Sequence, residues 1–275
     1  MKPGWKASGS GGFSCSWLLI ALLVACPTRA ADAPAKTESQ LQAAAVLKSM
    51  AEYLGVLKAF SCTSINNFET VQANGQRIEF GETRRISLAR PDRLRIEEVD
   101  SDGASDLALF DGKQITVLSA DENVYAQAPQ PPSIEDALVY FVRDLRMRMP
   151  LALMLSTHVR TELPTLAKEI DYVESTKIRG QAAHHIAGRG DSVDFQLWIA
   201  EGTKPLPLRI VITYKLAPGQ PRFAADISDW NIGPKFSADT FHLSLPKDAR
   251  KIPFAVQLLA PDVAPQAAVS GEVTP

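Results

Sequence analysis

Residues 193–214, VDFQLWIAEGTKPLPLRIVITY, contain two stretches in which apolar and polar side chains alternate. Such alternation is typical of β-strands that turn one face to a core and the other to solvent. The connection between the two stretches is short, so the strands are predicted to pair antiparallel. The apolar side chains expected on the inner face are Phe195, Leu197, Ile199, Leu208, Ile210 and Ile212.

Residues 60–128 show the same period of two, interrupted by short turn motifs. Asn74-Gly75 lies between two alternating runs and is typical of a tight β-hairpin. Asp102-Gly103 and Asp111-Gly112 separate the following runs at the spacing of a meander. Strands resume near Ile170. Because the links are short, neighbouring strands are again predicted to be antiparallel.

Two segments show helical periodicity instead. Residues 38–59 predict an amphipathic helix, and residues 134–145 predict a second one, with Ser133 as its N-cap. The apolar positions of the first helix are Leu41, Leu47, Met50, Leu54 and Leu57. Those of the second are Ile134, Leu138, Phe141 and Leu145.

These elements together predict an α+β fold. It consists of one large antiparallel sheet, an N-terminal helix and a central helical segment. A strongly twisted sheet of this size tends to curl, and the helices would then cover its concave apolar face.

The first thirty residues have the features of a secretory signal peptide. A positively charged start precedes an apolar run, residues 17–26, of ten residues, about half of the roughly 20 that a membrane-spanning helix needs. Cleavage after Ala30 would release a free protein. Alternatively, residues 23–26 resemble a bacterial lipobox, which would leave residues 1–25 as the leader and acylate Cys26. Both routes predict export to the periplasm, in the second case with a membrane anchor.

The remaining chain divides into a linker at residues 31–37, one domain at residues 38–255 and a tail at residues 256–275. The tail is rich in Ala, Pro and Val and is predicted to be disordered.

The charge of the mature chain excludes one class of partner. Removing residues 1–30 takes away Lys2, Lys6 and Arg29, which leaves 26 basic against 31 acidic residues and a formal net charge of −5. A mildly acidic chain offers no electrostatic footprint for nucleic acid. Cys62 is the single cysteine after the leader, so no internal disulfide is expected.

The sequence contains no complete catalytic motif of the metalloprotease, P-loop or nucleophile-elbow type. His184 and His185 are the weak metal candidates, but adjacent side chains of a strand point to opposite faces of the sheet. The alternative is a histidine pair on the sheet surface. No cofactor and no catalytic residue are predicted.

Two further groups have both a functional and a structural interpretation. Cys62 could be a nucleophile, although a small buried thiol in a first strand is the simpler interpretation. Arg143, Arg146 and Arg148 could contact anionic lipid headgroups or an acidic partner, or could form a solvated helix face.

Two stretches resemble the LolA/LolB-like superfamily of periplasmic lipoprotein carriers. Residues 197–212 resemble a hairpin of that superfamily. In this hairpin a strand ends in Trp and an apolar residue, and it is followed by a turn, a Leu-Pro-like step and a second strand that opens with a basic residue. Residues 237–249, SADTFHLSLPKDA, are similar to the ending of those proteins. The resemblance covers residues 38–252, and within the superfamily the chain looks closest to a family of predicted periplasmic proteins of unknown function.

This resemblance implies a half-barrel of antiparallel strands, with helices as a lid, that shelters acyl chains in the carriers. No functional residue of the carriers matches this chain position by position. The leading hypothesis is therefore an exported, non-enzymatic protein that binds a lipid, lipoprotein or other apolar ligand. The six inner-face side chains of residues 193–214 would line the ligand cavity.

Two alternatives stay open. One is a structural or sensory envelope module that has a filled core and acts through a protein partner. The other is a hydrolase or metal-dependent enzyme that uses His184 or His185. Membrane contact is expected only through a lipid anchor, if Cys26 is acylated.

Overall fold

A computed structural model of the chain describes residues 35–255. The predicted leader with its two processing sites, Ala30 and Cys26, lies outside the described residues. The same holds for most of the linker and for the tail at residues 256–275.

Alternating side chains form a single sheet of 12 strands among the described residues. Its strands are β1 (Ala59–Val71), β2 (Arg77–Ala89), β3 (Arg93–Asp100), β4 (Ser105–Asp111), β5 (Gln114–Ser119), β6 (Val124–Pro129), β7 (Glu169–Ile178), β8 (Gln181–Arg189), β9 (Val193–Ala200), β10 (Pro207–Tyr214), β11 (Arg222–Ile232) and β12 (Arg250–Lys251). Their spatial order is β12-β6-β5-β4-β3-β2-β1-β11-β10-β9-β8-β7. Each pair is antiparallel except β12 with β6.

The sheet consists of two meanders that meet at its centre. Strands β1 to β6 run outward in chain order, and β7 to β11 return so that β11 pairs with β1. Phe60 of β1 lies opposite Ile232 of β11 on one side and Leu88 of β2 on the other. The α+β class and the antiparallel sheet are thereby confirmed.

The helices interrupt the chain before the first meander and between the two. They are α1 (Glu38–Val56), α2 (Ile134–Val139), α3 (Ala152–Leu155) and α4 (Val159–Glu162), with a π-helical turn at Tyr140–Asp144 and 3-10 turns at Leu163–Thr165 and Ala238–Phe241. None of the helices within residues 35–255 has the length and apolar character needed to cross a membrane.

Helix α1 begins at a capping box. The Thr37 hydroxyl accepts a hydrogen bond from the Gln40 amide, and the Gln40 side chain accepts one from the Thr37 amide, at 3.2 and 3.0 Å. Leu47, Met50 and Leu54 are buried against the sheet, as the periodicity predicts. Leu41 was expected on that face but is 58% exposed, because the buried side of the helix passes through Ala43 instead.

The face of the sheet that packs against the helices is called the inner face. Its core cluster joins α1 to side chains of both meanders, including Leu88, Leu94 and Ile210. The aromatic ring of Phe141 packs on Phe110 of β4, with ring centroids 5.3 Å apart, and so fixes the central segment over the first meander.

Arg90 connects three separate helical elements to the sheet. Its guanidinium donates to the Leu57 carbonyl at 3.0 Å, the Leu155 carbonyl at 2.9 Å and the Glu135 carboxylate at 2.8 Å. The Glu135 carboxylate also accepts from the amide and hydroxyl of Thr157. Arg90 therefore holds the end of α1, the start of α2 and the end of α3 at one point.

Candidate functional site

The inner face of the first meander has an apolar end and a charged end. Ile86 of β2 lies opposite Ile96 of β3 in the core. Two residues away from this pair, Arg84 lies opposite Glu98. The next pair whose side chains point to the inner face is Glu82 with Asp100. At this end of β2 and β3, the positions that point to the inner face are therefore occupied by charged side chains instead of apolar ones.

A polar network connects these charges to β1. The Arg84 Nε lies 2.8 Å from a Glu82 oxygen and 2.6 Å from a Glu98 oxygen. The amide of Asn66 donates to Glu82 at 2.8 Å, and the Ser64 hydroxyl donates to Asn66 at 2.6 Å. Ser64, Asn66 and Glu82 are buried. Removing charges from water costs several kcal/mol per ion, and the ion pairs and hydrogen bonds of this network offset part of that cost.

Glu82, Glu98 and Asp100 have carboxylate oxygens within 4.8 Å of one another, a spacing that could hold a cation. The Arg84 guanidinium contacts two of these three carboxylates. A metal ion would have to compete with this fixed positive charge, so the cluster is interpreted as an ion-pair network.

Burial raises the pKa of Glu98 to about 7. The Coulombic effects of Glu82 and Asp100 act in the same direction, whereas the Arg84 guanidinium opposes them. Burial also raises the pKa of Asp100, with the neighbouring acids adding to the effect. This end of the sheet therefore changes charge near neutral pH.

The raised pKa of Glu98 leads to a prediction about stability. Between the unfolded pKa of about 4.5 and the folded value of about 7, the unfolded state loses this proton first, so stability is lost as the pH rises. We expect the free energy of unfolding of the wild type to fall by about 1–2 kcal/mol relative to Glu98→Gln between pH 4.5 and 7.5, a figure reduced for partial exposure. Urea titration of both proteins across this range measures the difference.

Glu97→Gln is the matched control for this measurement. Glu97 is the next residue of the same strand, lies on the outer face and pairs with Arg95 at 2.8 Å. A wild-type curve that runs parallel to the Glu98→Gln curve, or a Glu97→Gln variant that reproduces the effect, would contradict the assignment.

A cavity of about 410 Å³ opens over this part of the inner face. One wall is the sheet, with the charged network beside apolar groups, and the other is the segment that follows the π-helical turn. The apolar lining consists of Phe68, Ile96, Leu107, Ala108, Val117, Phe141, Met147, Met149, Pro150 and Phe223. The charged lining consists of Glu82, Arg84, Glu98, Asp100, Asp106, Arg146 and Arg148.

Residues 146–150 alternate in direction where they cross the cavity. Met149 is buried and Met147 partly buried, whereas Arg146 and Arg148 are exposed. The Arg148 guanidinium lies 5.5 Å from the centroid of the Phe68 ring. Phe68 in turn stacks on Phe80, which is 44% exposed in the part of β2 that extends beyond its pairing with β3. The cavity therefore has arginines on one side of its opening and acids on the other.

A second, apolar cavity of about 70 Å³ lies beneath residues 150–154, which continue this segment. Pro150 lines both cavities, and across the strands Ile212 of the small cavity lies opposite Phe223 of the large one. The lining of the small cavity consists of Pro150, Leu151, Leu153, Met154, Leu163, Leu166, Val193, Phe195, Leu197, Ile210 and Ile212.

Four of the six side chains predicted to line a cavity are in this list: Phe195, Leu197, Ile210 and Ile212. Ile199 is fully buried in the main core. Leu208 differs from the expectation and lies in a separate cluster with Ala183 and Ala200. The register of β10 shifts between Pro207 and Arg209, so the period of two does not extend back to Leu208. A ligand role for these residues stays a prediction.

His184 and His185 have different surroundings. The His184 Nδ1 lies 3.0 Å from the Tyr172 hydroxyl. The His185 ring stacks on Trp198 with centroids 4.1 Å apart, and its Nε2 lies 3.1 Å from Gln196. The two imidazoles thus belong to opposite faces of β8 and do not converge on one ion.

Cys62 is buried on the inner face. Burial raises the pKa of its thiol to about 12, and the nearby Asp229 adds to this effect. The thiolate is the reactive form of cysteine, so the environment supports the structural interpretation of Cys62.

The three arginines do not share one helix face, contrary to the expectation. Helix α2 ends at Val139, and Arg146 has a positive φ of 56° beyond the π-helical turn. Arg143 is paired with Asp144 at 2.9 Å, whereas Arg146 and Arg148 line the cavity. The interruption of the helix therefore separates one surface arginine from two at the site. Local periodicity could not reveal this break.

A larger cavity of about 580 Å³ lies on the outer face, between β1–β3 and residues 237–242. It is lined mainly by hydroxyl and charged groups, and two of its charges, Arg95 and Glu97, pair with each other at 2.8 Å. Its polar walls do not suit an apolar ligand. The inner-face cavity is the better candidate because it combines apolar and charged walls.

Residues 43–255 match the model of a family described as predicted periplasmic protein (DUF2092). The chain belongs to this family. The match confirms the resemblance to a family of predicted periplasmic proteins and the predicted periplasmic location of this DUF2092 protein. The choice between Ala30 cleavage and Cys26 acylation stays a prediction. The comparison with curated proteins gives no match.

Solved structures are similar to the DUF2092 chain over most of its length, at low sequence identity. The lipoprotein LppX of Mycobacterium tuberculosis is 14% identical, with 72% of this chain and 99% of that chain covered and a TM-score of 0.48. The structure of the Pseudomonas aeruginosa MucA/MucB complex is 17% identical, with 74% of this chain and 61% of that chain covered and a TM-score of 0.39. A putative outer membrane lipoprotein-sorting protein domain from Vibrio parahaemolyticus is 8% identical, with 74% of this chain and 97% of that chain covered and a TM-score of 0.31.

Proposed function

We propose that this DUF2092 protein is a non-enzymatic periplasmic protein that binds an amphiphile in the inner-face cavity. The observation that carries the proposal is the composition of that cavity, in which Phe, Ile, Val and Met side chains adjoin a charged network. Its volume of about 410 Å³ falls within the roughly 300–1,000 Å³ typical of small-molecule sites.

The apolar part of the ligand would lie against Phe141, Phe223 and the methionines of residues 146–150. Methionine side chains adapt to irregular apolar shapes, which suits a flexible chain. Each methylene group moved from water into such a site contributes about 0.8 kcal/mol. A displacement of Pro150 would join the large cavity to the small apolar one and lengthen the space available to the chain.

The polar part of the ligand would remain at the charged end. Glu82, Arg84 and Glu98 are already held by one another and by Asn66, so they present a fixed polar surface. A ligand with an apolar body and a polar head satisfies both parts of the cavity at once. A purely apolar ligand would leave charged groups without water or partners, at a cost in free energy.

Native purification of the mature protein, followed by mass spectrometry under non-denaturing conditions, tests the proposal. We expect a co-purifying amphiphile, and after its removal we expect saturable binding of N-phenyl-1-naphthylamine, an uncharged fluorescent apolar probe. If the natively purified protein has only the mass of its polypeptide and the stripped protein does not bind the probe, the cavity is not a ligand site. The interpretation as an envelope module would then replace the proposal.

A further inference from the structure

The two walls at the opening of the inner-face cavity carry opposite charge. The sheet wall contributes four carboxylates and one guanidinium, whereas the wall formed by residues 146–150 contributes two guanidiniums. Within the described part of the chain, Asp100 and Asp106 form no ion pair, and neither does Arg146. The exposed Arg148 contacts the ring of Phe68. Unpaired charges of both signs therefore face one opening.

The charges also follow an order from the core outward. Arg148 is adjacent in sequence to the buried Met149 and lies over Phe68, close to the apolar part of the cavity. Asp100 is the last residue of β3 and Asp106 the second of β4, so both lie beside the turn of that hairpin and are exposed. Among the unpaired charges, the Arg148 guanidinium therefore lies beside the apolar part of the cavity, and the two carboxylates lie at the end of the sheet wall farthest from Leu94 and Phe110.

We infer that the ligand is a single-chain zwitterionic phospholipid of the phosphoethanolamine type, a deduction that rests on the proposed function. Its phosphate would bind Arg146 and Arg148, since guanidinium groups match phosphate oxygens with two parallel hydrogen bonds. Its terminal ammonium would bind Asp100 and Asp106. The order of tail, phosphate and ammonium in such a lipid is the order of the groups along the cavity.

A head with a single sign of charge fits the opening less well. An anionic head would approach the unpaired Asp100 and Asp106, and a cationic head would approach Arg146 and Arg148. In each case one wall repels the ligand, and like charges placed close together disfavour binding. A zwitterion gains from both walls.

Competition for the uncharged probe tests this inference on the whole mature protein. The competitors are lysophosphatidylethanolamine, lysophosphatidylglycerol and a primary alkylamine, all with the same chain length. We expect lysophosphatidylethanolamine to displace N-phenyl-1-naphthylamine at concentrations about tenfold lower than the other two, which corresponds to about 1.4 kcal/mol.

Variants assign each wall to its part of the head. The double variant Arg146→Gln, Arg148→Gln should weaken the binding of both phospholipids and strengthen that of the amine, because it removes the repulsive wall. The double variant Asp100→Asn, Asp106→Asn should weaken the binding of lysophosphatidylethanolamine and of the amine, and should strengthen that of lysophosphatidylglycerol. Arg143→Gln is the matched control, because Arg143 belongs to the same segment, pairs with Asp144 and does not line the cavity.

The outcomes separate this inference from the proposed function. If the three competitors displace the probe equally well, or if one of the singly charged amphiphiles is preferred, the inference of a zwitterionic headgroup is wrong. The proposal that the cavity binds an amphiphile would still stand. If the probe itself does not bind, the proposed function fails before any headgroup is compared. A change in headgroup preference in Arg143→Gln would also overturn the assignment, because it would be unrelated to the cavity.

Discussion

Ala108→Phe is expected to reduce binding of the apolar probe at least about tenfold, or about 1.4 kcal/mol. Ala108 lies on the inner face of β4, opposite Ile96 and Val117, and lines the cavity of about 410 Å³. A benzyl side chain at this position would occupy the space assigned to the ligand. Because the ring enters open space and phenylalanine favours strands, the free energy of unfolding should change by less than about 1 kcal/mol.

Ser87→Phe is the matched control for this variant. Ser87 lies on the outer face of β2 and lines the other large cavity, so its replacement also places a ring in open space beside the sheet. Probe fluorescence titrations should give wild-type affinity for Ser87→Phe. If Ala108→Phe also binds as the wild type does, the ligand lies elsewhere. If the two variants lose affinity equally, the effect is not specific to the inner face.

Arg90→Ala is expected to lower the free energy of unfolding by about 3 kcal/mol, the range observed when one partner of a buried ion pair is removed. The Arg90 and Glu135 side chains are only 12% and 16% exposed. The substitution leaves the Glu135 carboxylate without its cation and the carbonyls of Leu57 and Leu155 without this donor. Because these groups belong to three helical elements, their docking on the inner face should loosen together.

Urea denaturation at neutral pH measures this effect, with Arg93→Ala as the control. Arg93 begins the next strand, and its side chain is 48% exposed and 3.9 Å from Asp92. An exposed pair of this kind contributes about 0–1 kcal/mol. Equal destabilisation by the two substitutions would show that Arg90 has no special role as a junction.

The charged end of the cavity could have been predicted in part from the sequence. Glu82 and Arg84 have the same parity as Ile86 and Leu88 in one strand, so the alternation already places them on the inner face. Which charges meet, however, depends on the register of β2 against β3, and this register brings Arg84 to Glu98. The composition of the chain and the spacing of its residues do not determine which residues pair across the two strands.

The sequence by itself determined the class of the fold, the antiparallel strands and the apolar side of each strand. These properties follow from local periodicity, because successive side chains of a strand point to opposite faces. The tertiary structure alone decided what covers the inner face and how much space remains there. Arg148 contacts Phe68 and Pro150 lines both inner-face cavities, because the chain between the meanders folds back over β1 and β4. Contacts between residues so distant along the chain depend on how the two meanders pack, which no local pattern specifies.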